Sequence, residues 1–294
     1  AHAEHVRTHL GNGAEMLCAY PLLHAQRYAE GLTEAGAEDA VLLCRSTWAG
    51  GQRYPVILWS GDVWSTWEHY RAQIAAGLHA AMSGLGWWST DIGGFYEGHT
   101  GNPEFRELLV RWFEFGVFSP ICRLHGVRIP NGVPYSAPDG EVEYGSELFH
   151  VFTDTGGDNE LWSYGPETEA VLTRLLHLRE VLRPYIGNLM RDYAATGVPP
   201  MRPLRFAFPE DSNNFSPQGA YMFGPDLLVA PVLEPGATTR DVYLPRGTDW
   251  VHVWSGATHL GGRIVTVAAP PGRPPVFSLA DRWRDHQNTF NRLR

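Results

Sequence analysis

Asp62 and Asp91 are the residues whose type and placement most readily do chemistry. Each follows a short apolar run and lies beside a glycine-containing turn, in WSGDVW and STDIGG. A free aspartate has a pKa of about 3.9 and donates protons poorly at neutral pH. Apolar rings packed around a carboxyl penalise its charged form and keep the proton on. Trp59, Trp64 and Trp67 flank Asp62 in sequence. A carboxylic acid held in that way can protonate a glycosidic oxygen. Asp62 and Asp91 together read as an acid and a base, or as one acid and one anchor for the loops. Aspartate before a helix is also a common cap or turn residue. Arg45 and Arg123 each end an apolar run and suit carboxylate pairing or substrate contact. His125 ends another such stretch; a lone histidine there is more often structural than functional.

These groups need elements that bring them to one place. The runs AVLLC (40–44), PVILW (55–59), LGWWST (85–90) and VFSPIC (117–122) read as four buried strands, each with polar residues at its carboxyl end. Helical patterns alternate with them. Ser65 and Glu68 have capping-box spacing, Tyr70, Ile74, Leu78 and Met82 recur every four residues, and Gly84 suits a left-handed cap. Asn102 and Pro103 suit the cap and first position of a second helix, with Phe105, Leu108, Leu109 and Trp112 on one side. Strand, polar tip, helix is the pattern of a parallel α/β fold whose chemistry lies at the carboxyl ends of strands. One link is short: about ten residues join the first two strands, where a parallel crossover needs a dozen or more. Residues 127–165 read as a long loop over the mouth of the fold. Residues 166–195 read as a helix with Val171, Leu175, Leu178 and Leu182 in register and Pro184 inside. After Pro199, short runs (RFAF, AYMF, LLVAPV, DVYL, WVHVW, RIVTVA, PVF) alternate with turn residues, which predicts an antiparallel β-sandwich.

Composition removes several function classes. Lys and Arg total 23 against 32 Asp and Glu, a net charge of −9, and every one of the cations is arginine. Schiff-base lysine chemistry and a P-loop are therefore excluded, and an acidic chain does not look like a nucleic-acid binder. No G-x-S-x-G or G-x-G-x-x-G occurs. Three scattered cysteines, Cys18, Cys44 and Cys122, suit no disulfide framework. His2 and His5 have the spacing of a metal pair but match no zinc-peptidase string, so no metal is expected. No apolar run reaches the roughly 18–20 residues of a membrane span, and the polar start resembles no signal peptide. The expected compartment is the cytoplasm. The chain begins without Met, which fits a processed or truncated product.

The strings LLCRST, GGQRYPVILWSGDVWSTW, LGWWSTDIGGF, RWFEFGVFSPICRLHG, GVPPMRPL and YMFGPDLLVAPV together resemble glycoside hydrolase family 31, the retaining α-glycosidases that include α-glucosidases, α-xylosidases and sulfoquinovosidases. They run in family order along nearly the whole chain. The resemblance implies the second half of a (β/α)₈ TIM barrel, residues 1–198, followed by a proximal C-terminal antiparallel β-sandwich domain, residues 199–294. It also implies the short link after Arg45. By the resemblance Asp62 matches the general acid/base. Arg45, Trp59, Asp91 and His125 match positions lining the sugar subsite, with Arg45 and His125 holding hydroxyls, and Arg123 matches a structural position. Phe95 stands where sulfoquinovosidases carry a tyrosine that helps bind the sulfonate, which turns the expectation toward an α-xyloside or α-glucoside.

The family's nucleophile is an aspartate ending strand four. By the resemblance it falls just before or at the start of this chain, with Glu4-His5 as the tail of its motif and Ala1 in its place. Two other readings stand beside the hydrolase: a non-catalytic carbohydrate-binding homologue, and a truncated fragment lacking the nucleophile. No cofactor is expected. The expected partner is a carbohydrate, with no nucleic acid and no membrane, and self-association is left open.

Overall fold

Leu42–Cys44, Val56–Trp59 and Trp88–Ser89 form a parallel three-stranded sheet in that order. Leu42 pairs with Val56, and Leu58 with Trp88. The short link between the first two strands contains a 3₁₀ turn, Gly51–Arg53, in place of a crossover helix. A second parallel pair joins Gly98–His99 to Arg128–Ile129, and a single parallel bridge joins Ile92 to Leu124. The computed structural model describes residues 3–37, 39–129, 156–215 and 219–291. Ala1, His2 and most of the expected 127–165 loop lie outside the described residues. So does one member of the His2/His5 pair.

The helices pack as amphipathic patterning requires, with corrections at their ends. The helix Trp67–Met82 is capped by Thr66, whose hydroxyl accepts from the His69 N–H at 3.2 Å. Ser65, the expected cap, instead donates to the Tyr96 carbonyl at 2.5 Å. The buried stripe runs through Tyr70, Gln73, Ile74, Gly77 and Ala81, and Met82 is exposed. The helix Pro103–Val117 is capped by Asn102 as expected. From Leu108 to Val117 every residue is buried, the mark of a helix enclosed on all sides. In Pro166–Thr196, Leu175, Leu178 and Leu182 are buried, and Pro184 lies inside the helix without ending it.

Two expected strands do not form. The helix continues through Val117, and residues 118–122 are turn and irregular backbone. Pro120 has no N–H for a ladder. The carbonyls of Val117, Ser119 and Pro120 accept instead from the Arg179 guanidinium at 2.8, 2.5 and 2.7 Å. RFAF lies largely in a short helix, Leu204–Ala207. The next residue, Phe208, packs edge-on against Trp250.

The rest of the C-terminal region is antiparallel. Six strands lie in the order Thr258–Leu260, Asp249–His252, Val276–Leu279, Leu227–Val229, Tyr221–Phe223, Met201–Pro203. A separate ladder pairs Thr239–Leu244 with Arg263–Ala268. Side chains alternate across a sheet, and both faces here are covered. Tyr221, Phe223, Leu227 and Val229 join the core of the helices Pro103–Val117 and Pro166–Thr196. Met222, Leu228, Trp250 and Phe277 join Val242, Leu244 and Val267 of the ladder. The fold is thus mixed helix and sheet, with the larger core running from the parallel strands into the antiparallel ones.

Candidate active site

The carboxyl ends of the parallel strands carry the expected residues. Cys44 ends the first strand and Arg45 follows; Trp59 ends the second, and Asp62 lies three residues on; Ser89 ends the third, and Asp91 two residues on. Parallel pairing puts these tips on one side. The structure brings together all six residues expected to form the site.

Asp62 Oδ2 is 3.4 Å from Arg45 Nη1, and its side chain is 18% exposed. The Tyr96 hydroxyl donates to the same oxygen at 3.4 Å. This corrects the expectation of a dry cage of indoles. Trp64 packs on the Tyr96 ring at 5.0 Å, and Trp67 packs edge-on against the core residue Tyr70. Trp59 lies between two guanidinium groups, with Arg45 5.5 Å and Arg123 5.9 Å from its ring centre. Asp62 therefore sits in a polar strand-end cluster, half-sheltered and open to a ligand.

Asp91 is fully buried and forms an ion pair with Arg123. Burial pushes its pKa up to about 6, against the opposing pull of Arg123; the Trp59 indole also favours the charged form, and the Asp62 charge opposes it. Neither Trp59 Nε1 nor Asp91 Oδ2 makes a hydrogen bond of normal geometry among the described residues. The indole nevertheless lies close enough to the Asp91 carboxyl to favour its charged form, so the two buried groups face each other beneath the strand tips. His125 lies beside Phe95, ring centres 5.5 Å apart. Burial first, then Arg123 and Arg128, lower its pKa, while Asp62 acts in the opposite sense. These influences favour the neutral ring, which can both donate and accept.

Two residues escaped the sequence reading. Tyr96 follows the DIGGF string and has no periodic pattern to mark it. Arg128 is fully buried. It donates to the carbonyls of Gly94 at 2.9 Å, Ile92 at 3.2 Å and His125 at 3.4 Å, and to Tyr164 Oη at 3.0 Å. It ties together the loops that bear Asp91, Phe95 and His125. A lone arginine gives no such signal in sequence. Gly94 has φ +80°, and a Cβ there would meet the Ser65 Cα at 2.7 Å, so only glycine lets the two loops close. Concavities away from these strand tips, such as one of about 570 Å³ lined by Pro103, Arg106 and Pro166, include none of the candidate groups.

Comparison with known proteins gives this geometry a family. Residues 2–147 match the TIM-barrel domain of the glycosyl hydrolases family 31, and residues 197–281 match the family's C-terminal domain. An alpha-xylosidase of Saccharolobus solfataricus is 35% identical over 268 residues, covering 91% of this chain and 33% of the relative. A sulfoquinovosidase of Agrobacterium fabrum is 32% identical over 292 residues, covering 97% of this chain and 40% of the relative. A family 31 alpha-xylosidase from a soil metagenome, solved with xylose, superposes with a TM-score of 0.84 at 43% identity, covering 95% of this chain and 40% of that one. The chain thus spans between a third and two fifths of the length of these relatives. With both family domains matched in order and the strand-tip residues in place, the chain belongs to glycosyl hydrolase family 31.

Proposed function

We propose that this chain supplies the acid/base side of a retaining α-glycosidase site that releases a terminal α-linked xylose or glucose. In this reading residues 1–198 are the second half of a (β/α)₈ barrel, and residues 199–294 are a C-terminal β-sandwich domain. The observation that carries it is the Asp62 carboxyl, held by Arg45 and Tyr96 beside the Asp91–Arg123 pair. Its position at the tips of parallel strands supports this reading, because barrels do their chemistry at such tips.

The chemistry follows from two carboxyls with separate tasks. Asp62 gives its proton to the glycosidic oxygen as the C1–O bond breaks, and the aglycone leaves as a neutral alcohol. A second carboxylate, contributed from outside the described residues, supplies the electron pair to C1. Ionised Asp62 then takes a proton from water as the water attacks C1, and the second carboxylate leaves. The sugar's hydroxyls meet Arg45 and His125, while the buried Asp91–Arg123 pair beneath them holds the strand tips in place. Phe95, against His125, presents an apolar ring to the sugar's edge. No step calls for a metal or an organic cofactor.

Asp62→Ala tests the reading in the longest natural polypeptide that carries residues 1–294. On alkyl α-glycosides, whose leaving groups need protonation, kcat should fall by about 10³-fold, within the range a general acid contributes. On activated aryl α-glycosides most of the first-step rate should survive. Equal activity of mutant and wild type on both substrates removes Asp62 from the mechanism. Sugar binding by a wild type that cleaves neither substrate supports a carbohydrate-binding homologue instead.

A further inference from the structure

We infer that Tyr96 is a positioning residue for the proposed acid/base: its phenol and Arg45 both occupy Asp62 Oδ2, leaving Oδ1 as the oxygen that transfers the proton. This rests on the reading of Asp62 given above.

Two contacts converge on one oxygen. Tyr96 Oη donates to Asp62 Oδ2 at 3.4 Å, and Arg45 Nη1 approaches the same atom at 3.4 Å. A carboxyl with one oxygen engaged by donors keeps its proton on the other, because a proton on the engaged oxygen would face two donors. The phenol is itself fixed from several sides. The backbone N–H groups of Phe95 and Tyr96 both donate to the Val63 carbonyl, at 2.7 and 3.1 Å. The Tyr96 carbonyl accepts from the Ser65 N–H at 3.0 Å and the Ser65 hydroxyl at 2.5 Å. The ring packs on Trp64 at 5.0 Å and edge-on to Phe95 at 4.7 Å. The loop that carries the acid and the loop that carries the phenol are therefore one unit, and the Tyr96–Asp62 contact is built by backbone pairing.

Among the described residues, four groups act on Asp62 in this cluster. Arg45 and Tyr96 touch it, while Asp91 and His125 interact with it electrostatically. Of these, Tyr96 alone is a neutral donor that Phe replaces without changing charge or ring volume. A phenol donor fixes which way the carboxyl faces. Removing it loosens the aim of the acid.

Tyr96→Phe in the longest natural polypeptide carrying residues 1–294 separates these effects. Arg45, His125 and the sugar contacts are untouched, so KM should stay within about twofold. On alkyl α-glycosides kcat should drop about tenfold, the scale of a lost hydrogen bond to a charged group. On activated aryl glycosides the first step should stay close to the wild-type rate. The melting temperature is measured alongside; the retained ring predicts a value within a few degrees of wild type. An unchanged kcat on alkyl glycosides, or a KM that rises in step with the loss, overturns the role of Tyr96, while the glycosidase reading stands. A wild type that cleaves no α-glycoside overturns the reading itself.

Discussion

At Asp91, burial and pairing pull in opposite directions. The carboxyl is fully buried, which favours its neutral form, and Arg123 favours the charged form. Burial wins, and the pKa rises from 3.8 to about 6. A carboxylate whose folded pKa is raised adds most stability below its unfolded pKa and loses that contribution as pH rises through the folded one. The relevant window is thus about pH 4 to 6. The unfolding free energy of wild type relative to Asp91→Asn should fall across that window and then level off. The drop is ~3 kcal/mol at most, from about two units at 1.36 kcal/mol each. Denaturant unfolding of both proteins at pH 4, 5, 6 and 7 measures it; a flat difference would show that Arg123 holds the carboxylate ionised throughout. Asp62, Asp91, Arg45 and His125 were legible in sequence because each lies where an apolar run gives way to polar residues. The surroundings of Asp62 were not. Trp59, Trp64 and Trp67 are neighbours along the chain, but they diverge in space to two guanidiniums, to Tyr96 and to the core. Tyr96 reaches Asp62 across 34 positions, a distance no local pattern spans.

Among the elements, the helix Pro103–Val117 bears the most unusual load. Arg111 and Glu114 on it are each 1% exposed and pair at 3.1 Å. Arg111 also donates to the carbonyls of Ala237 at 3.0 Å and Ala269 at 2.9 Å, while Glu114 accepts from the Gly272 N–H at 2.6 Å. The pair thus fastens the helix to loops more than a hundred residues away. Glu114→Ala leaves the Arg111 charge buried without its carboxylate. The expected loss is about 3–5 kcal/mol of unfolding free energy, read as a lower denaturant midpoint. A loss under about 1 kcal/mol would show that the two carbonyls suffice. The start of this helix was legible, because Asn102-Pro103 is a strong local signal. Its end was not. VFSPIC has the composition of a strand, and only the position of Arg179, some sixty residues later, decides where those carbonyls find donors. RFAF failed similarly: an alternating string of four also fits one helical turn.

Across the whole molecule, the parallel sheet ends on the strand Leu42–Cys44, which among the described residues is paired on one side. Val41, Leu43 and Trp48 beside it are 55%, 46% and 52% exposed. An unpaired edge with apolar neighbours recruits further strands. Residues 1–294 produced alone should self-associate at micromolar concentration, and Leu43→Lys should shift the light-scattering mass toward that of a monomer. Equal masses would place any association elsewhere. Toward the C-terminus the central antiparallel strands are covered on both faces. There the strands Tyr221–Phe223 and Leu227–Val229 turn alternate side chains to the helices and to the Thr239–Leu244 ladder. The family's two named regions consequently meet without a seam. Anyone grafting the tail of one relative onto the barrel of another must exchange the facing helices as well, because the partition drawn in sequence runs through the middle of a single interior.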